Sequence, residues 1–475
     1  MYQYTKQFIN GEWVDSTGHE TIDVINPATE EKIGTISSGT EEDVDRAVKA
    51  ARAAFKDFSS TPKEERVQLL ENIVTEYEKR KDDLVKIITE ELGAPITFSE
   101  ETQYTLGLNH FKEAAKILRD FDFYEKRENA YIQKEAIGVA GLITPWNFPT
   151  NQVATKLAAA FAAGSTVVLK PATQTPFAAI IITEILQKAG VPKGVFNLVN
   201  GTGSIVGNAI SSHPDIDLIS FTGSGKVGTK IMENAAQDIK KIALELGGKS
   251  PIVVLDDATV ETAARTALAN IASNTGQVCT AGTRIFLPKK MHQPFIEMVK
   301  KLESEYPVGD PTDKNTTTGP QVSQEQWETV QDYIQTGIDS GAELIIGGTG
   351  KPEGLTTGYY SRLTMFTNLN HDDTIAKEEI FGPVMTVFTY DSLDEAIELA
   401  NDTIYGLAGY VVGQDTDTLV DVAKKIRAGR VVINDGESDF SAPFGGYKQS
   451  GIGREWGDYG IAEFLETKSI FGMPK

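Results

Sequence analysis

Four short stretches of this chain carry residue types that could do chemistry. The first holds its one cysteine, in Gly276-Gln-Val-Cys-Thr-Ala-Gly282. A lone cysteine is more often a small buried hydrophobe than a nucleophile. Here flanking glycines and a neighbouring glutamine indicate a turn with accessible amides. A thiolate on Cys279 could attack a carbonyl there, its own N–H helping to hold the oxyanion. The second is Asn147 in Thr144-Pro-Trp-Asn-Phe-Pro149. An amide donor fixed between two prolines suits an oxyanion hole, and it equally suits an asparagine closing its own turn. The third is Glu245 in Leu244-Glu-Leu-Gly-Gly-Lys-Ser-Pro251. A carboxylate in an apolar run at a strand end must be paired, or it has a raised pKa that suits a base.

The fourth is Gly223-Ser-Gly-Lys-Val-Gly228, a G-x-G-x-x-G after an apolar run and opening a helix. Glycines let backbone N–H groups approach a phosphate, and a helix N-terminus favours negative charge. Read as a dinucleotide fingerprint, this makes Glu245, 17 residues past Gly228, a ribose ligand. Read as a tight strand-to-helix turn, it leaves Glu245 free for other work. A second glycine-rich turn, Gly201-Thr-Gly-Ser-Ile-Val-Gly207, also follows a β-like run. The five histidines sit in polar contexts, with neither metal-ligand spacing nor a Ser-His-Asp pattern.

These residues need elements to hold them. Residues 7–13 and 21–26 read as strands. Thr40-Glu-Glu-Asp43 reads as a capping box for a helix to about 57, with a second helical stretch over 63–92. From Gly138, apolar runs at 139–143, 166–169, 195–199, 218–221 and 242–244 alternate with helical segments at 152–163, 176–189, 204–211 and 226–237. That alternation predicts a parallel sheet built by right-handed crossovers. A second alternation has strands at 252–255, 284–287, 343–346, 385–389, 408–412 and 431–434. The expected fold class is therefore α/β with two sheets, and Gly247-Gly248 marks the turn between them.

Composition narrows the function. With 475 residues, the chain has room for two or three domains. Its 45 Lys+Arg against 67 Asp+Glu give a net charge of −22, which argues against nucleic acid and anionic lipid. The first residues form no apolar signal core, and the longest apolar stretch, 157–169, is too short to span a bilayer. One cysteine forbids an internal disulfide, so a reducing, cytoplasmic setting is expected.

Together these segments resemble the aldehyde dehydrogenase superfamily, in its NAD(P)-dependent, non-acylating branch. The resemblance runs from Phe8-Ile-Asn-Gly-Glu-Trp13 and Ile25-Asn-Pro-Ala-Thr-Glu30 to Pro443-Phe-Gly-Gly-Tyr-Lys-Gln-Ser-Gly-Ile-Gly-Arg-Glu455. Between them stand the asparagine, glutamate and cysteine segments, Lys170-Pro-Ala-Thr-Gln-Thr-Pro176, Phe221-Thr-Gly-Ser224 and Glu379-Ile-Phe-Gly-Pro383. It implies that Cys279 attacks an aldehyde, that Asn147 and the Cys279 N–H hold the oxyanion, and that Glu245 activates the water that hydrolyses a thioester. The family pattern thus makes Glu245 the general base rather than a ribose ligand.

For the cofactor, the resemblance implies Lys170 on the adenosine ribose, Glu379 on the nicotinamide ribose and Phe381 beside the nicotinamide. Gly223 and Ser224 would approach the pyrophosphate, with Thr144, Trp146, Gly228 and Leu246 completing the site. The implied architecture is two Rossmann-like parallel-sheet domains plus a β-hairpin oligomerisation element. The cofactor-binding domain would comprise 1–117 and 138–247, the catalytic domain 248–447, and the bridging element 118–137 with 462–475. A homodimer or homotetramer is implied.

Two departures matter. Many NAD-preferring members carry an acid three residues after the cofactor lysine, where this chain has Thr173; NADP is then expected to be used as well. After the asparagine loop, Thr150-Asn-Gln-Val-Ala-Thr155 stands where many members are bulkier and apolar, with a Trp at the position of Thr155. A roomier or more polar substrate tunnel is expected, walled also by 435–442 with Phe440. The competing readings are a CoA-acylating dehydrogenase, against which Glu245 argues, and a catalytically silent protein that kept the fold.

Overall fold

A computed structural model describes residues 1–472. Two sheets carry the architecture. In the eight-stranded sheet, Lys241–Glu245, Leu218–Thr222, Val139–Ile143, Thr166–Lys170 and Phe196–Leu198 lie side by side and parallel. Antiparallel strands close both edges, Gly451–Ile452 on one side and the hairpin of Lys6–Ile9 with Glu12–Asp15 on the other. The central strands are buried throughout, which is why they read as unbroken apolar runs.

The seven-stranded sheet runs Glu343–Ile346, Thr364–Thr367, Val384–Tyr390, Gly282–Pro288, Ser250–Val254, Ala408–Val412 and Arg430–Ile433. All pairs are parallel except the first. Residues 246–249 join the two sheets, where the glycine pair was expected to mark a turn. A third, antiparallel sheet pairs Tyr124–Lys126 with Ala130–Ala136 and the latter with Leu465–Phe471.

Several expectations need correcting. Residues 7–13 are not one strand but two, folded back at Asn10-Gly11, where both residues take positive φ. The 63–92 stretch is two helices, Lys63–Glu78 and Lys81–Leu92, interrupted at Lys79-Arg80. The 204–211 segment begins as a π-helical turn, Gly203–Gly207, before Asn208–Ser212. The hairpin expected from 118 starts later, because Leu118–Asp120 finish the helix Thr105–Asp120. The tail expected from 462 begins inside the helix Gly457–Glu463, and its last residues, 473–475, lie outside the described residues. The Thr40 capping box is present, Thr40 Oγ1 accepting from Asp43 N.

The helix Pro149–Ala163 is the pivot of the first half. Proline at its first turn presets φ, and every one of its residues is buried. It is packed by the helices Lys63–Glu78, Thr105–Asp120 and Gly457–Glu463. A lysine in such a helix, Lys156, needs a partner, since an unpaired buried charge is costly. Among the described residues, no helix is long and apolar enough to cross a membrane.

Candidate active site

The two sheets meet the site with opposite ends. The eight-stranded sheet contributes the carboxyl ends of its strands: the 144–149 loop after Val139–Ile143, Gly223-Ser224 after Leu218–Thr222, and Glu245 at the end of its own strand. The seven-stranded sheet contributes loops entering its strands, Cys279 before Gly282–Pro288 and Glu379 with Phe381 before Val384–Tyr390. Between them lies a cavity of about 220 Å³. Cys279, Asn147, Trp146, Gly223, Ser224, Leu246, Glu379 and Phe381, all singled out in the sequence, line it.

The cysteine loop is held in an unusual backbone. Asn274, Thr275 and Gly276 all take positive φ, a conformation L side chains rarely adopt. Hydrogen bonds hold it there. Asn274 Nδ2 donates to the Asn147 carbonyl (2.9 Å), Asn147 Nδ2 donates to the Gln277 carbonyl (2.9 Å), and Gln103 Nε2 donates to the Asn147 carbonyl (3.0 Å). Gln277 Oε1 accepts from Val322 N, and Thr275 Oγ1 donates to the Gly319 carbonyl. Gly276 packs so tightly on the Gly382 backbone that a side chain would collide with it. Asn147 thus spends one amide hydrogen fixing the cysteine loop.

The glycine pair does more than turn the chain. A side chain on Gly247 would strike the Glu379 carboxylate, and one on Gly248 would strike the Cys279 carbonyl. Gly248 N donates to Glu379 Oε1 at 3.0 Å, and the Trp146 and Phe381 rings meet edge to face at 5.3 Å. Ser224 caps the helix Gly225–Ala235, its Oγ accepting from Val227 N.

Glu245 lies outside that cavity's lining, buried behind it. Among the described residues neither of its carboxylate oxygens has a hydrogen-bond partner. Gly445, from the closing glycine motif, leaves room for the carboxylate; any side chain there would meet Glu245 Oε1. Burial, and then the charge of Glu455, hold the Glu245 pKa well above the carboxylate range, opposed by Lys156 and Arg454. Burial followed by the charges of Glu379 and Glu245 pushes the Cys279 thiol up to about 12, so it rests protonated. Burial raises Glu379 to about 7 against the Gly248 hydrogen bond.

Three predicted cofactor residues also sit away from the cavity lining. Lys170 is buried, donates to its neighbour's carbonyl, Pro171 O, at 2.8 Å, and is depressed to about 8 by burial; its stem approaches Gly207 of the second glycine-rich turn. Thr144 is buried and donates its N–H to the Lys170 carbonyl. Gly228 packs the helix Gly225–Ala235 against Leu246, where a Cβ would overlap the leucine. Thr173 is half-buried, its hydroxyl donating to Gln174 Oε1 at 3.2 Å.

Sequence reading missed the cluster behind Glu245. Lys156 Nζ donates to Glu455 Oε1 at 2.5 Å and to Ser220 Oγ at 3.0 Å, all three residues buried. The usable signal was a lysine inside an otherwise apolar helix, which must find an acid. Gln103 and Asn274, which lock the asparagine and cysteine loops together, had no local signal, because their partners are distant in sequence.

The aldehyde dehydrogenase family model matches residues 13–470. A Staphylococcus haemolyticus protein, whose name assigns it provisionally to the aldehyde dehydrogenases, is 59% identical over 472 residues, covering 99% of each chain. Aldehyde dehydrogenase C of Pseudomonas syringae, solved as a cysteine-to-alanine mutant with NAD+ and octanal, superposes with a TM-score of 0.97 at 42% identity, covering 98% of this chain and 96% of that one. A Mycobacterium tuberculosis aldehyde dehydrogenase solved with NAD+ superposes with a TM-score of 0.96 at 38% identity, covering 99% and 98%. With the fold matched along almost its whole length and the cysteine, asparagine and glutamate segments converging on one cleft, the chain belongs to the aldehyde dehydrogenase family.

Proposed function

We propose that this enzyme oxidises an aldehyde to the free carboxylic acid with NAD, through a thiohemiacetal and then a thioester on Cys279. The observation that carries this reading is the shared cavity of Cys279, Asn147, Glu379 and Phe381, with an unpartnered, buried Glu245 behind it. The residues fit a dinucleotide: a glycine turn opens an 11-residue helix at one end of the cavity, and a carboxylate suited to ribose hydroxyls stands at the other. When bound, the oxidised nicotinamide supplies the hydride acceptor.

The chain's own groups do the rest. Cys279 Sγ releases its proton to water as it bonds to the carbonyl carbon. The developing oxyanion is held by the free Asn147 amide hydrogen and the Cys279 N–H, a donor set of which each member is worth about 3–4 kcal/mol in comparable sites. Loss of hydride leaves the thioester. Glu245, ionised, takes a proton from water, whose oxygen attacks the thioester carbon and releases the acid. An unpartnered carboxylate of high pKa is a strong base for that step, and it favours hydrolysis over transfer to CoA.

Gly223 and Ser224 approach the pyrophosphate, and Lys170 with Thr144 supports the adenosine end. Trp146, Leu246 and Phe381 wall the nicotinamide end, and Gly228 sets the helix spacing. Without an acid at Thr173, NADP is also accepted. The 1–117 and 138–247 segments form the cofactor domain and 248–447 the catalytic domain. The hairpin and the C-terminal strand bridge subunits of a dimer or tetramer in the cytoplasm.

The test is NADH and NADPH formation over an aldehyde panel, with and without CoA. Turnover without CoA is expected. Turnover only with CoA would hand the site to the acylating reaction, and cofactor binding without any turnover would make the protein catalytically silent.

A further inference from the structure

A groove of about 590 Å³ runs between the hairpin of Tyr124–Lys126 with Ala130–Ala136 and the turn joining the helix Glu41–Ser59 to the helix Lys63–Glu78. Lys63, Arg66 and Lys134 line it, with Phe55, Phe123 and Tyr124. It shares no lining residue with the cavity that holds Cys279.

Arg66 is the unusual member. It is 6% exposed, yet among the described residues its guanidinium makes neither a hydrogen bond nor an ion pair. Nε is sealed inside, and Nη1 passes so close to Gly164, where φ is +91°, that a Cβ there would strike it. The guanidinium packs over the Phe123 ring at 4.9 Å. That contact accommodates the charge but uses none of the N–H groups, which lie in the guanidinium plane. A buried cation with unmade hydrogen bonds is costly, so the amino end that reaches the groove calls for an acceptor.

Other donors converge on the same space. The 16-residue helix Lys63–Glu78 begins at the groove after Pro62 with no side-chain cap, and among the described residues the Lys63 N–H has no acceptor. Such a helix start favours an anion. Lys134 packs its ammonium over the Phe121 ring at 5.0 Å, and Phe121 meets Phe123 at 4.9 Å, so one ring pair carries both cations. Lys63 Nζ donates to the Arg119 carbonyl at 2.8 Å. The hydroxyls of Ser59, Ser60 and Thr61 already donate to the carbonyls of Lys56 and Asp57, so the donors left over are cationic or backbone. The one acid lining the groove, Glu135, holds Lys468 with both oxygens, at 2.8 and 2.7 Å. In a chain of net charge −22, three cations thus surround one groove without a carboxylate partner among the described residues.

We propose that this groove binds a phosphate group, free or as the monoester of a small molecule, on the terminal amino groups of Arg66, the Lys63 N–H and the ammonium groups of Lys63 and Lys134. Donors arriving from a helix and from a hairpin suit a tetrahedral oxyanion, with oxygens on every side, better than a planar carboxylate. The groove is several times larger than a phosphate, which leaves room for the body of a monoester along Phe55 and Tyr124. Bound there, the anion ties the hairpin to the core helix beneath it.

The experiment is calorimetric titration with inorganic phosphate and with glycerol 3-phosphate, at an ionic strength fixed by chloride, with and without saturating NAD. One phosphate per chain is expected to bind in the presence of NAD, and Tm to rise by about 1–3 °C at ten to a hundred times the Kd. Tighter binding of glycerol 3-phosphate or equal binding of the two probes both support the site, and they tell the monoester from the free ion. Arg66→Lys, which keeps a charge and loses the fork, is expected to weaken binding about tenfold, and Lys134→Gln about threefold. Should Arg66→Lys fail to fold, Lys134→Gln on the hairpin still decides. No binding, acetate binding as tightly as phosphate, or a Kd unmoved by Lys134→Gln overturns the proposal. A signal lost on adding NAD would place the phosphate in the dinucleotide cleft and overturn it as well.

Discussion

The eight-stranded and seven-stranded sheets meet the same cavity in opposite polarity. The first offers strand carboxyl ends, with a helix N-terminus after Gly223 and an amide donor at Asn147. That is the usual geometry of anion and dinucleotide sites in open α/β sheets. The second offers strand amino ends, the side away from the N-termini of crossover helices. Its cysteine instead rides a loop forced into positive φ and fastened to the first half through the Asn274 side chain on the Asn147 carbonyl and the Asn147 side chain on the Gln277 carbonyl. The difference teaches a division of labour. One half handles charge with backbone supplied by topology, while the other positions a thiol through cross-links to its neighbour.

The sharpest way to break that division is Cys279→Ala. Turnover is expected to vanish, by about 10⁴-fold or more, while NAD affinity by calorimetry stays within about twofold, because the binding half is untouched. A large loss of NAD affinity would mean that the halves are not separable. Glu245→Gln comes next. Steady-state kcat is expected to fall about 10³-fold with the first-turnover NADH burst retained; a selective rise in the KM for NAD would return Glu245 to the ribose.

Asn147→Ala sits on the seam. It removes an oxyanion donor and a tether of the cysteine loop together, and a loss of about 10²–10³ in kcat is expected. If the loss appeared only as lower thermal stability, the asparagine would be a turn-closing residue after all. The smallest effect concerns Glu455→Gln. Removing the negative charge that helps raise Glu245 lets the base ionise at lower pH. Activity rises with pH as Glu245 ionises, so the acid limb of the kcat profile should move to lower pH. An unmoved limb would show that burial alone sets the base.

The sequence was most legible where one residue's chemistry is written locally. Buried strands such as Val139–Ile143 read as apolar runs, and Thr40 announced its capping box. Cys279, Asn147 and Glu245 stood out because their types and glycine-rich or proline-rich settings are unusual together. Elements were missed where the pattern is shared between distant segments. The strand Thr364–Thr367 is too short to show a period, and the break at Lys79-Arg80 has no proline or glycine to mark it. The polarity of the second sheet was also hidden, since a loop entering a strand looks the same in sequence as one leaving it. Lys156, Ser220 and Glu455 form one network only after folding.

The contact of Gly276 with Gly382, and of the Gly247-Gly248 pair with Glu379 and Cys279, has a consequence for remodelling. The cysteine loop and the Glu379 loop share a surface with no slack, like a key cut for one lock. The 273–282 and 378–383 segments must be transplanted together with the glycine pair, because grafting either loop alone would wedge the cleft open.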